Sequence, residues 1–83
     1  MFKIITETPP TLEEAQAFVG GYVEMVTLPN GDQLLMDEDG GFKSHLQVNR
    51  EALAHAAGSG VGSFGLNCLL GPVLCLQGEA RWT

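Results

Sequence analysis

Residues 20–41 read GGYVEMVTLPNGDQLLMDEDGG, and the reading of this stretch decides the fold. Two apolar runs flank Pro29-Asn30-Gly31-Asp32. In the first, Tyr22, Glu24, Val26 and Leu28 alternate with Val23, Met25 and Thr27, which is the period of a strand. Asn-Gly accepts the positive φ angles of a two-residue hairpin connection, so Gln33 to Asp37 is expected to return antiparallel. Asp37-Glu38-Asp39-Gly40-Gly41 then ends the second strand in carboxylates.

Upstream, Phe2 to Thr6 reads as a short opening strand, stopped by Thr8-Pro9-Pro10. Thr11 with Glu14 forms a capping box, and Leu12, Ala15 and Val19 recur at helical spacing with Phe18 beside them. Gly20-Gly21 supplies a left-handed ending for this helix. Downstream, Phe42 to Val48 has room for a small extended piece, and Asn49 can cap a helix over Arg50 to Ala57 that ends at Gly58. Capping is the role expected of Asn49, and its replacement by Ala should cost about 1 kcal/mol. A glycine and serine loop follows to Gly65, and Leu69, Leu70, Val73, Leu74 and Leu76 form a buried terminal strand around the Gly71-Pro72 break. Trp82 reads as a lid or interface residue. The expectation is an α+β fold, a small, mostly antiparallel sheet with two short helices packed on one face, in a single domain spanning residues 1–83.

Composition narrows the function classes. A chain of 83 residues with 45% hydrophobic and 17% charged residues can bury one modest core, near the lower limit for folding without staples. Ten acids against four bases leave a net charge of -6, which repels phosphate backbones, and Lys3, Lys43, Arg50 and Arg81 are too scattered for a basic stripe. Direct nucleic-acid binding is therefore not expected. Cys68 and Cys75 are too few for a disulfide framework and suit a reducing cytosol. No secretory leader is legible after Lys3, and the apolar run Leu66 to Leu76, broken by Asn67, Gly71 and Pro72, falls short of the roughly 20 residues that span a bilayer. No membrane association is expected.

Each chemical motif has a plainer reading beside it. Asp37-Glu38-Asp39 suggests calcium, but taking Gly40 as the EF-hand glycine puts Leu35 at the first ligand position. A solvated acidic rim is the reading adopted. Gly60-Val61-Gly62-Ser63-Phe64-Gly65 matches G-x-G-x-x-G literally, yet it follows a helix and precedes a strand, the reverse of the dinucleotide context. A weaker variant remains, in which the amides of Gly60 and Gly62 hold a small anion together with Lys43, His45 or Arg50. His45, His55, Cys68 and Cys75 are zinc-type ligands, but no C-x-x-C or H-x-x-x-H pair places two of them on one local scaffold. Cys68 served by His45 or His55 lacks an identifiable orienting group and oxyanion donor. Core cysteines and surface histidines are expected, with no catalytic residue, metal or cofactor.

Gly20-Gly21-Tyr22-Val23-Glu24, the Pro29-Asn30-Gly31 turn, Met36-Asp37-Glu38-Asp39-Gly40, Leu46-Gln47-Val48-Asn49 with Ala52, and Gly71-Pro72-Val73-Leu74 together resemble a small domain-of-unknown-function family of bacteriophages, prophages and bacterial plasmids. The resemblance spans roughly residues 2–78 and departs at Gly58 to Asn67, where the loop is richer in glycine. It implies no activity. A phage setting does imply a bacterial cytoplasm and a non-enzymatic protein that binds and inhibits a host protein, including a component of bacterial immunity. Asp37, Glu38, Asp39 and Trp82 are the partner-binding candidates, with the hairpin or the terminal strand lending an edge for pairing. The alternative is an oligomer that sequesters a small nucleotide immune signal through Lys43, His45, Arg50, Gly60 and Gly62. Trp82 with Phe64 could join two copies into a homodimer or a higher oligomer. Duplex mimicry has few acids to draw on.

Overall fold

The computed structural model describes residues 1–39, 47–58 and 69–83. In chain order the elements are β1 (Phe2–Ile5), α1 (Leu12–Val19), β2 (Val23–Thr27), β3 (Gln33–Asp37), α2 (Arg50–Gly58), β4 (Val73–Leu76) and a 3-10 turn at Gly78–Ala80. The strands form one four-stranded sheet in the order β1-β4-β3-β2. β2 and β4 each run antiparallel to β3, while β1 runs parallel to β4. The fold is thus α+β, a mostly antiparallel sheet with two helices packed against it, as the sequence pattern predicts. The expected piece at Phe42 to Val48 and the loop at Gly58 to Gly65 lie largely outside the described residues; Val48 itself forms an antiparallel bridge to Leu70.

The helices do not share a face. Side chains alternate across a strand, and β4 divides cleanly: Val73 and Cys75 pack with Ala52 and Ala56 of α2, while Leu74 and Leu76 pack with Ala15 of α1. β3 divides likewise, sending Leu34 and Met36 to the α2 side and Leu35 to the α1 side. The expected one-faced packing is therefore corrected to a helix on each face. The physical reason is legible in QLLMD and VLCL, whose residues are buried throughout, as a strand covered on both faces requires. β4 also lies inside the sheet, so the terminal strand offers no free edge, contrary to the sequence expectation.

Local chemistry sets the ends. Thr11 and Glu14 form the reciprocal capping box, with Glu14 N–H donating to Thr11 Oγ1 at 3.1 Å and Thr11 N–H to Glu14 Oε1 at 2.8 Å. The hairpin differs from the two-residue turn expected. Gly31 N–H donates to the Leu28 carbonyl at 2.9 Å, Leu28 N–H to the Asp32 carbonyl at 2.7 Å, and Gly31 alone is left-handed, at φ +94°. Asn30 keeps a negative φ because its side chain is used elsewhere, accepting from Asp32 N–H at 3.0 Å. Asn49 caps α2 by accepting from Ala52 N–H at 3.0 Å, and its amide also donates to the Met1 and Gly71 carbonyls at 2.9 and 2.8 Å. One side chain thereby ties the starts of α2, β1 and β4 together.

Candidate functional site

The polar cluster in the core is assembled by register. Gln33 faces Leu76 and Leu34 faces Cys75, so one step further along the same ladder sets Asp32 across from Gln77, on the α2 side of the sheet. α2 lays His55 over this end. His55 Nε2 lies 2.8 Å from Asp32 Oδ2 and 3.4 Å from Cys75 Sγ. Gln77 Nε2 donates to the same Asp32 oxygen at 2.9 Å, Asn30 Nδ2 at 3.3 Å, and the Cys75 thiol approaches it at 3.8 Å. The Phe2 ring packs against His55 with centroids 5.5 Å apart. Cys75 is fully buried and reduced.

Burial by itself raises the Asp32 carboxyl, but hydrogen bonds from His55, Gln77 and Asn30 and the attraction of His55 outweigh it, and the group lies below its ordinary 3.8. Burial, followed by the negative charge of Asp32 and the hydrogen bond to it, pushes the Cys75 thiol up to about 12. A thiol so placed is protonated at neutral pH and is a poor nucleophile. The connectivity also differs from a catalytic relay, in which the imidazole reaches the nucleophile with one nitrogen and the carboxylate with the other. Here both partners face Nε2. What the cluster does offer is an oxygen, a nitrogen and a sulfur donor converging on one point.

The sequence-predicted residues are distributed as follows. Asp37 is buried, and its Oδ1 accepts from Asp39 N–H at 2.9 Å. A Cβ at Gly21 would stand 2.8 Å from that oxygen, so the glycine makes room for the carboxylate. Asp37 is thus part of the turn, while Glu38 and Asp39 are exposed and form the rim. Trp82 sits at the other end of β3, held by Gln33: Trp82 N–H donates to Gln33 Oε1 at 2.6 Å and Gln33 Nε2 to the Trp82 carbonyl at 2.7 Å. Its indole donates to the Pro10 carbonyl at 2.9 Å and packs on the α1-side core. Five residues of strand, about 14 Å, separate it from the acids, so the four partner-binding candidates do not form one patch. Trp82 instead lines an open groove of ≈ 460 Å³ with Pro9, Pro10, Leu12 and Arg81.

Of the anion-site candidates, Arg50 is exposed at the start of α2, beside Glu51 in a shallow cleft. Lys43, His45, Gly60 and Gly62 lie outside the described residues, as do Phe64 and Cys68. His55, expected at the surface, is half-buried in the core cluster because α2 turns it toward Asp32. His55 and Cys75 were among the zinc-type residues; Asp32 was not, and no local spacing links it to them, since it stands 23 positions from His55 and 43 from Cys75 along the chain. Among the described residues no helix is long and apolar enough to cross a membrane. No protein-family model, no curated protein and no solved structure matches the chain.

Proposed function

We propose that this protein is a non-enzymatic binding protein that docks the outer edge of β2 onto a strand of a partner, a host protein in the bacterial cytoplasm of the phage setting that its sequence resembles. The observation that carries the reading is the position of β2 at the end of the sheet order, with no strand beyond it among the described residues. Its neighbourhood is apolar and acidic at once. Tyr22 is 70% exposed and Met25 44%, with Glu24 on the strand and Glu38 and Asp39 at its end. Main-chain pairing would supply affinity, Tyr22 and Met25 the side-chain anchors, and the acids a preference for a partner with basic flanks. The burial of Cys75 and the saturation of Asp32 by donors favour binding over covalent chemistry.

Affinity capture from bacterial lysate, followed by hydrogen exchange on the recovered complex, tests this. The expected result is a protein partner whose binding slows exchange at the β2 amides and weakens as salt is raised. Met25→Lys combined with Tyr22→Ser should reduce its recovery about tenfold or more while leaving the circular dichroism unchanged. A partner held equally by this variant, with no protection in β2, would overturn the edge, and capture of no protein from several hosts would overturn the function.

A further inference from the structure

We propose that Asp32 Oδ2, His55 Nε2 and Cys75 Sγ form a site for one divalent transition-metal ion of the zinc type. This site stands independently of partner binding at β2. The three donors come from the hairpin turn, α2 and β4, and their mutual distances are 2.8, 3.4 and 3.8 Å. A tetrahedral ion that holds nitrogen and oxygen at roughly 2.0 to 2.2 Å and sulfur at roughly 2.3 Å sets its donors about 3.3 to 3.6 Å apart. The observed triangle brackets that spacing, and only the nitrogen–oxygen edge has to open, by about half an ångström.

The directions of the contacts agree with the distances. Asp32 Oδ2 faces donors from His55, Gln77, Asn30 and Cys75, more than the two lone pairs of one carboxylate oxygen can satisfy well. His55 Nε2 faces both a carboxylate and a thiol, yet a single N–H can serve only one. A cation at the centre would take the place of the His55 and Cys75 protons at Asp32 Oδ2 and give the imidazole nitrogen and the sulfur one common partner. With its proton on Nδ1, the imidazole presents the Nε2 lone pair and the carboxylate its oxygen, while the thiol releases its proton to solvent as the sulfur–metal bond forms. Asn30 and Gln77 remain as outer hydrogen-bond donors that aim the carboxylate. A mixed sulfur, nitrogen and oxygen set selects a borderline ion; calcium and magnesium take oxygen alone. The site is reachable, since the His55 and Asp32 side chains are 22% and 12% exposed.

Cobalt(II) chloride added to the chelator-treated full chain is the direct probe. One ion per chain is expected, with a thiolate-to-cobalt charge-transfer band and four-coordinate visible absorption that zinc chloride displaces. Cys75→Ser and His55→Gln should lose the band while keeping the wild-type circular dichroism, and Cys68→Ser should keep it. A wild-type protein that shows no band, or a band that survives Cys75→Ser or disappears in Cys68→Ser, overturns the site. Should either core variant fail to fold, X-ray absorption of the zinc-loaded wild type decides. A shell of one sulfur with nitrogen and oxygen neighbours supports the assignment, and a shell without sulfur, or no retained zinc, refutes it.

Discussion

The two faces of the sheet are built from different chemistry. Under α1, Leu35, Leu74 and Leu76 meet Ala15, with Ile5, Phe18, Val23 and Trp82 at the margin. Under α2, Leu34, Met36 and Val73 meet Ala52 and Ala56, but the same cluster runs into Cys75 and, beside it, His55 and Asp32. The first face is held by apolar area, which contributes in proportion to what leaves water. The second spends part of its interior on groups whose hydrogen bonds must first offset their own desolvation. Both faces are thus stabilised by apolar burial, to which the α2 side adds Leu28 and Leu69, and the α2 side also carries the groups whose chemistry can be used.

The largest effect should come from the apolar face. Leu35→Ala removes a fully buried side chain and is expected to cost about 2 to 5 kcal/mol in urea denaturation. Asp32→Asn tests the other face, because it keeps the volume and weakens the acceptor shared by His55 and Gln77, and should cost about 1 to 3 kcal/mol. A larger loss for Asp32→Asn than for Leu35→Ala would reverse the contrast between the faces. The Asp32 difference also has a pH signature. A carboxyl held below its ordinary 3.8 adds stability that is present above that value and disappears as acid protonates the folded state. The gap between wild type and Asp32→Asn should therefore be full at neutral pH and close as pH falls below about 4, followed by denaturant titration at each pH. The smallest change is Thr11→Ala, which removes one half of an exposed capping box on α1 and should lower the midpoint by an amount equivalent to about 1 kcal/mol.

Much of this architecture was legible in local pattern. Thr11 with Glu14 marks a helix start because a hydroxyl and a carboxylate three residues apart satisfy each other's backbone amides, whatever lies nearby. The alternation from Val23 to Thr27 and the turn residues before Gln33 likewise announce a hairpin, although which turn formed depended on Asn30 bonding to Asp32. Asn49 was readable as a cap and only half understood, since its amide reaches Met1 and Gly71 through space. The candidate site was still less legible. Its members carry no shared motif, and His55 and Cys75 become neighbours of Asp32 only when β4 pairs with β3 and α2 covers the opposite face from α1.

What the sequence determined by itself were the elements and most of their ends, because capping, turn formation and strand alternation act over a few residues. The tertiary structure alone decided the face on which each helix lies, the interior place of β4 and the meeting of a carboxylate, an imidazole and a thiol. Those outcomes depend on register between distant strands, where a shift of one residue turns every side chain to the other face.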